Sequence, residues 1–331
     1  MTFDVLIIGA GLSGLAAGIR LAHFGKRVVI VEAHSVCGGL NSYYRRGPRM
    51  LDVGLHAMTN FVGRGTRGAP LTKLLRQLRI PHAALGLIEQ SGSVIQSPSC
   101  SLRFTNDFEV LRGDVRENFP GQIDSFDRLT EIIDGHDEAT LDPPVMSARK
   151  VVVEVITDPQ LAEMLFVPLM YYGNPAERDM DFAQFAVMWK ALYRSGLARP
   201  EAGMKHVVDL LVERYSGAGG ELRLRTSVEE LVVDDGRVVG VRLAGGEEIA
   251  ADQVLSSAGL VETMRLCSDR EASWLGEKIG RLSFVELIAT LDVEPRSLGI
   301  DKTIVFFDDE GPLQYRRPDG LVGLSSGVIC C

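Results

Sequence analysis

The N-terminal segment DVLIIGAGLSGLAAGIRLAHFGKRVVIVEA (residues 4–33) constrains the fold more than any other part of the sequence. It opens with the run VLIIG, which is short, β-branched and bounded by glycine, as is typical of a fully buried strand. A stretch with helical spacing then ends at Gly25, a residue type common just past a helix C-terminus. A second buried strand, RVVIVE, follows, so the segment predicts a right-handed βαβ unit with parallel strands.

Three glycines, Gly9, Gly11 and Gly14, lie where the first strand becomes the helix. In a G-x-G-x-x-G turn the first glycine permits the sharp turn and the second lets a diphosphate approach the backbone. The third lets the helix pack closely on the strand. The first helical N–H groups, around Leu12 and Ser13, then face the anion together with the positive end of the helix dipole. The pattern predicts a dinucleotide-binding turn.

An acidic residue, Glu32, ends the second strand and is followed by Ala33. A carboxylate about 20 residues after such a glycine turn accepts hydrogen bonds from the hydroxyls of an adenosine ribose. Its negative charge repels a 2′-phosphate, which argues against NADP at this site. Strand, helix, second strand and acid together predict that residues 9–33 hold an adenine dinucleotide.

Composition narrows the remaining possibilities. The chain has 331 residues, 46% hydrophobic and 24% charged, which suits about two domains or one elaborated domain. The net charge of −9 and the lack of a dense Lys/Arg block argue against nucleic-acid binding. Five cysteines, an odd number without a C-x-x-C pair, indicate a reducing, cytoplasmic compartment. No metal-ligand pattern is evident, and no apolar run reaches the roughly 20 residues that span a bilayer, while peripheral membrane contact stays open.

The segment HSVCGGLNSYYRRGPRMLDVGLHAMTNF (residues 34–61) carries a family resemblance. It is similar to the flavoprotein superfamily of flavin amine oxidases, phytoene desaturases and carotenoid isomerases, with the pattern G-G-R-x-x-S/T followed by apolar-Asp-x-Gly. The resemblance implies an extended FAD, with its pyrophosphate side near Gly38 and Gly39 and its flavin ring near residues 54–57. Leu40 stands where the family has a cation, and whether Arg45 or Arg46 substitutes is open. The implied cofactor residues here are Gly38, Gly39, Leu40, Gly54, Leu55 and His56.

A second match lies in residues 195–259. RPEAGM (residues 199–204) resembles the phytoene desaturase motif Y-P-x-G-G-M, with Ala202 replacing one glycine. A helix, the strand ELRLR, a β-meander with its turn at Asp235-Gly236 and a returning buried strand follow. The resemblance implies that Val228, which opens the meander, lies against the adenine, and that Ser257 and Ala258 lie near the dinucleotide.

These patterns predict an α/β fold: a Rossmann-like FAD/NAD(P)-binding domain with a β-meander and an inserted mixed α+β substrate domain. The FAD-binding domain is expected at 1–66 and 199–272, and the substrate domain at 67–198 and 273–331. RLSFVELIATLDVE (residues 281–294) is expected to form a strand of the substrate domain. An apolar stripe at helical spacing is either core or part of a substrate tunnel; it comprises Phe182, Phe185, Met188, Trp189 and Leu192.

The resemblance implies an FAD-dependent oxidoreductase that desaturates, isomerises or reduces an apolar isoprenoid or polyene. The alternatives are a flavin amine oxidase and a non-redox protein similar to Rab escort proteins and GDP-dissociation inhibitors. His56 could polarise the flavin ring or move a proton, or could be structural. Cys37 receives no role. We find no counterpart of the family's C-terminal Gly-Asp segment, so the sequence is expected to be a fragment or to have an incomplete FAD site. Oligomeric state is not indicated.

Overall fold

The computed structural model describes residues 2–54, 57–63, 66, 69–137, 140, 144–174, 176–267, 276, 278–280, 282–309 and 315–330. The chain divides into two compact units. Unit 1 comprises Met1–His56, Arg64–Ile88 and Arg199–Ile279, and unit 2 comprises Ala57–Gly63, Glu89–Ala198 and Gly280–Cys331. The bounds predicted for the FAD-binding and substrate domains remain a prediction, because they depend on which segments bind which ligand.

Unit 1 is built on a six-stranded sheet in the order β10-β11-β12-β1-β2-β9. Its strands are β1 (Phe3–Ile8), β2 (Val28–Val31), β9 (Glu221–Arg223), β10 (Val228–Asp234), β11 (Arg237–Leu243) and β12 (Glu248–Ser256). β1 pairs parallel with β2 and β12, and β9 continues the parallel part beside β2. β10, β11 and β12 pair antiparallel, with left-handed Asp235 and Gly236 in the first turn. The predicted βαβ unit and meander are confirmed.

The returning strand differs from its prediction in one respect. β12 belongs to both the meander and the parallel sheet, but it is not buried throughout, and the side chain of Leu255 is 38% exposed. Burial on both faces needs a covering layer on each side. Along its C-terminal half β12 has side chains open to solvent, so the prediction of a buried strand was wrong there.

Three of the helices of unit 1 pack near one another, and a two-stranded hairpin follows Gly39 in the chain. The helices of this unit are α1 (Leu12–His23), α2 (Pro70–Leu78), α8 (Met204–Gly217) and α9 (Leu260–Arg265), and the hairpin comprises β3 (Tyr43–Arg46) and β4 (Arg49–Asp52). Tyr215 on α8 donates a hydrogen bond to the carbonyl of Val28 at 2.9 Å and to that of Glu221 at 3.0 Å. A Cβ on Gly18 of α1 would come within 2.8 Å of this ring, so glycine is what allows the close packing.

Unit 2 combines helices with a four-stranded sheet in the order β14-β13-β6-β7. Its helices are α3 (Phe108–Asn118), α4 (Ile123–Asp134), α5 (Ala148–Val155), α6 (Pro159–Tyr171) and α7 (Phe182–Trp189), and its strands are β6 (Ser93–Gln96), β7 (Ser101–Phe104), β13 (Ile304–Asp308) and β14 (Ser326–Cys330). Two short strands, β5 (Leu87–Glu89) and β8 (Ala198–Pro200), each cross a point in the sequence where one unit ends and the other begins. Side-chain caps accept from backbone N–H groups at the starts of four of these helices and explain where they begin; the caps are Asp107, Ser147, Asp158 and Asp181.

The apolar stripe of α7 forms core. Phe185, Trp189 and Leu192 are fully buried, Phe182 is nearly so, and Met188 packs against the same cluster. After α7 the chain continues as a π-helix over Lys190–Arg194. Of the two alternatives left open by the sequence, the described packing supports the core.

Residues 282–294 contradict a prediction. The described residues there form no strand, and Leu287 is 91% exposed. β-branched and large apolar residues favour a strand when a neighbouring strand pairs with the backbone and one face is covered. Here the described part of the chain supplies neither condition, so the predicted strand was wrong. The strand that joins the sheet instead is β13, at Ile304–Asp308.

Candidate functional site

The glycines at the end of β1 are packed against protein. Gly9 has a φ of +99°, and a Cβ there would lie 2.7 Å from the Ser257 hydroxyl. A Cβ on Gly14 would lie 2.1 Å from the Gly9 carbonyl oxygen, a distance no side chain can occupy. The N–H of Gly9 donates to the Val31 carbonyl at 2.8 Å, which ties the end of β1 to the end of β2. These two glycines are therefore required by the turn itself.

Gly11 differs from its neighbours. It precedes α1 with a φ of −71°, and a Cβ there would meet no described atom closer than the Gly39 Cα at 4.0 Å. No side chain caps the helix at this position. The first N–H groups of an α-helix have no partner within the helix, so those following Gly11, from Leu12 and Ser13, are available to an anion. The open side of Gly11 is suited to a diphosphate rather than to packing.

The carboxylate of Glu32 is held at the same turn. One oxygen, Oε2, accepts the N–H of Ala10 at 2.7 Å, and Oε1 accepts the N–H of His34 at 2.8 Å. A carboxylate oxygen can accept more than one hydrogen bond, so each keeps capacity for a further donor. Glu32 is half-buried and the following Ala33 is exposed. The acid is thus fixed beside the glycine turn.

A second loop lies on the first. The N–H of Gly38 donates to the Ala10 carbonyl at 2.9 Å, and Gly11 and Gly38 form an isolated parallel bridge. A Cβ on Gly39 would come within 3.3 Å of the Gly11 Cα. The structure therefore brings Gly38 and Gly39 against Gly11, which lies 27 and 28 positions earlier in the sequence, at one edge of the sheet.

Position 40 and the two arginines that could replace the missing cation are all exposed. Leu40 projects outward with 87% of its surface exposed. Arg45 donates its Nε–H to the Gly47 carbonyl at 3.0 Å, within the β3–β4 hairpin, and Arg46 is exposed in the same hairpin. Neither guanidinium has a described contact with the glycine loops.

The flavin-ring segment is described in part. Gly54 has a φ of +74°, and a Cβ there would lie 2.9 Å from the Leu40 carbonyl oxygen, so this glycine is needed for the loops to meet. The N–H of Val53 donates to the Ser42 carbonyl at 2.9 Å. Leu55 and His56 lie outside the described residues, and the catalytic and cofactor roles predicted for them stay predictions.

The second matched region reaches the same edge. The N–H of Thr226, two residues before Val228, donates to the Glu32 carbonyl at 2.8 Å, and Val228 opens β10 half-buried against the core of unit 1. Ser257 donates its hydroxyl to the carbonyls of Ile8 at 3.0 Å and Gly9 at 3.1 Å. Ala258 follows, exposed. The Ser257 hydroxyl therefore supports the glycine turn, a role for which the sequence carried no signal.

Asp52 is a positioning residue that sequence reasoning left without a role. Both its carboxylate oxygens lie 3.2 Å from the N–H of Met204, the first residue of α8, and Arg199 lies at 3.6 Å. A carboxylate at a helix N-terminus is stabilised by the dipole and by unpaired N–H groups. The signals were the aspartate of L-D-V-G and the glycine before Met204, but no local pattern joins residues 152 positions apart.

Cys37, beside the second glycine pair, is chemically quiet. Its side chain is buried, and burial, reinforced by the negative charges of Glu32 and Asp209, raises its pKa to about 11. The thiolate is the reactive form of cysteine. The thiol therefore stays protonated near neutral pH.

The described residues fit the adenosine diphosphate half of FAD. They provide an open glycine at an uncapped helix start, a fixed acid for ribose, and a second glycine loop alongside. Among the residues the structure describes, no cluster of His, Cys, Asp or Glu suits a metal ion. No described helix combines the length and apolarity needed to cross a membrane.

Comparison with protein families gives a match to flavin containing amine oxidoreductases over residues 12–264. Prolycopene isomerase from Arabidopsis thaliana is 21% identical over 293 residues, which cover 77% of this chain and 47% of the isomerase. The lycopene-forming phytoene desaturase of Pseudescherichia vulneris is 26% identical over 285 residues, covering 78% of this chain and 56% of the desaturase. The chain thus spans about half the length of the curated relatives it matches.

Among solved structures, an oxidoreductase from Methanosarcina mazei superposes with a TM-score of 0.64 at 21% identity. The superposition covers 84% of this chain and 65% of that protein. At this identity the likeness shows the fold, and it confirms the predicted α/β class with a Rossmann-like part.

Proposed function

The chain belongs to the flavin containing amine oxidoreductase family, and from that premise we propose that it is an FAD-dependent oxidoreductase acting on an apolar polyene or other isoprenoid. The names of two relatives, a prolycopene isomerase and a phytoene desaturase, support this substrate class. The compounds in these names, prolycopene and phytoene, are hydrocarbons and have no polar groups. Such a substrate is positioned mainly by apolar contact and exclusion of water.

The residues of unit 1 would bind the adenosine diphosphate half of the cofactor. The N–H groups after Gly11 would donate to the diphosphate, and Glu32 would accept from the ribose hydroxyls. Val228 would lie against the adenine, while Ser257 holds the turn through its bonds to backbone carbonyls. When bound, FAD supplies a two-electron hydride acceptor. His56 would contact the ring, either polarising it or moving a proton at an imidazole nitrogen.

One observation carries the proposal. Gly9, Gly14, Gly38 and Gly54 have the space of their missing Cβ occupied by protein, whereas that of Gly11 is left open. Glycine is weakly unfavourable at an open position, because a chain with glycine loses more conformational entropy on folding than one with alanine. The glycine at position 11 is then explained by a ligand that needs the space.

The test is the substitution Gly11→Ala. Its backbone angles accept alanine, and its Cβ meets ordinary contacts, so thermal unfolding of the protein without FAD should be unchanged. FAD affinity, measured by titration at about 450 nm, should fall about 100-fold because a methyl group occupies the diphosphate position. Gly113→Ala, in α3 of unit 2, adds the same methyl group where no atom lies within 4 Å and should leave FAD affinity unchanged. Full FAD affinity in the Gly11 variant would contradict the proposal.

The family's own name supports a second candidate, oxidation of an amine. Anaerobic reduction of the FAD-loaded chain distinguishes the two candidate functions. The loss of flavin absorbance measures the reduction. Reduction by phytoene dispersed in detergent, with no response to putrescine or benzylamine, would support an oxidoreductase that acts on polyenes. The opposite pattern would support an amine oxidase.

A further inference from the structure

The tip of the β3–β4 hairpin concentrates positive charge. Three arginines, Arg45, Arg46 and Arg49, fall within five positions, and all three are exposed. Arg46 pairs directly with Arg49 across the hairpin. Like charges opposite one another on neighbouring strands are destabilising, so this arrangement works against the hairpin's own stability.

No acid within the described residues neutralises these arginines. Arg45 donates to the Gly47 carbonyl, and none of the three guanidinium groups has a carboxylate within ion-pair distance in the described chain. The acid of the hairpin, Asp52, lies at its base and is engaged by Met204 and Arg199. The tip is therefore a local cation in a chain of net charge −9.

Large uncharged side chains accompany the arginines. Tyr44 is 42% exposed and Met50 is 46% exposed. Because strand side chains alternate between faces, the pair Tyr44–Leu51 shares one face with Arg46 and Arg49, while Met50 shares the other with Arg45. A tyrosine next to arginines is typical of surfaces that contact the lipid–water boundary, where the ring lies among the headgroups.

We propose that the hairpin tip, residues 44–51, docks on the surface of a bilayer that contains anionic phospholipid. The unpaired guanidinium groups match phosphate headgroups in charge and geometry. The exposed tyrosine and methionine favour a lipid surface over nucleic acid, which offers no apolar layer to receive them. The inference rests on the proposed function in one respect. An apolar polyene dissolves in membranes, so an enzyme that acts on it reaches its substrate at a bilayer surface.

The base of the hairpin is joined to the candidate cofactor loops. The N–H of Val53 donates to the Ser42 carbonyl, and Gly54 packs against the Leu40 carbonyl. A docked tip would thus hold the glycine loops of unit 1 close to the bilayer that supplies the substrate.

The experiment is sedimentation of the FAD-loaded chain with sucrose-filled vesicles of phosphatidylcholine, with or without 30% phosphatidylglycerol. The double variant Arg46→Gln/Arg49→Gln should lose about 25-fold in affinity for the anionic vesicles, about fivefold for each arginine. The control Arg116→Gln/Arg128→Gln removes equal charge from exposed positions of unit 2 and should change the affinity less than twofold. Tyr44→Ser should weaken binding to the same vesicles while leaving its salt dependence unchanged.

The outcomes separate the two proposals. Binding to anionic but not neutral vesicles, lost in the hairpin variant and kept in the control, supports the docking surface. Absence of vesicle binding, equal loss in both double variants, or an effect of the hairpin variant on a DNA duplex but not on vesicles would overturn it. The flavin absorbance of the pellet measures bound FAD independently of vesicle binding. A colourless chain that still binds vesicles through the hairpin supports the docking surface. The same result counts against the proposed function.

Discussion

The interior packing of unit 1 differs from that of unit 2. In unit 1, around the candidate site, backbone approaches backbone, and glycines such as Gly14 and Gly38 leave no space for a Cβ. In unit 2, large rings fill the interior, with Trp189 in contact with Tyr193 and Phe185 at centroid distances of 4.9 and 5.9 Å. Adding atoms should therefore damage unit 1, and removing atoms should damage unit 2. A diphosphate site needs exposed backbone N–H groups, which close loops of glycine provide.

The largest effect is expected from removing a ring in unit 2. Trp189→Ala should lower the free energy of unfolding by about 3–5 kcal/mol, because a fully buried indole leaves a cavity. The matched variant Trp189→Phe keeps most of the ring and removes an indole N–H that has no hydrogen-bond partner among the described residues, so its cost should be below about 1.5 kcal/mol. Chemical denaturation followed by circular dichroism measures both. Equal costs for the two variants would contradict a core that depends on ring volume.

The next effect comes from adding one methyl group to unit 1. Gly14→Ala should destabilise by about 3 kcal/mol, because its Cβ would collide with the Gly9 carbonyl oxygen. Gly113→Ala in unit 2 adds the same group to a helix with open space and should stabilise by about 0.5–1 kcal/mol. Thermal unfolding of both proteins without FAD gives the comparison. If both substitutions had the same sign, the distinction between the units would not hold.

A smaller effect concerns a buried charge in unit 2. Burial alone would raise the pKa of Asp114, but the Arg103 guanidinium and backbone N–H, at 2.6–2.9 Å, more than offset it and hold that pKa below its ordinary value. The pair therefore stabilises the fold above about pH 4 and loses this contribution as pH falls through the folded-state pKa. Asp114→Asn should cost about 2 kcal/mol at pH 7 and progressively less below pH 4. Urea unfolding from pH 7 to pH 3 tests this; a cost independent of pH would exclude the charge as its cause.

The smallest effect is expected at the contact between α1 and α8. Tyr215→Phe keeps the ring that packs on Gly18 and removes the hydroxyl that serves two carbonyls, so it should cost about 1–2 kcal/mol. Gly18→Ala, which pushes the ring instead, should cost more. If the hydroxyl mattered more than the space, the order of these two variants in thermal unfolding would be reversed.

Local patterns explain what was correctly predicted. The strands, helix and turns of unit 1 follow from side-chain periodicity and glycine position, because both act on the backbone within a few residues. The glycine turn and the meander turn at Asp235-Gly236 are of this kind. The wrongly predicted strand at residues 281–294 has suitable residues but lacks a neighbouring strand in the described chain, a condition no short segment can supply.

The sequence by itself determined that residues 4–33 form a strand, a tight turn, a helix and a second strand, since each depends on contacts made along a short stretch of chain. The tertiary structure alone decided which glycine is open to a ligand. It also decided that Ser257 holds the turn of Gly9 and that Asp52 meets the start of α8, 152 positions away. Such contacts depend on where distant backbone atoms meet in space, and the free energy that fixes them belongs to the packed fold rather than to any local segment.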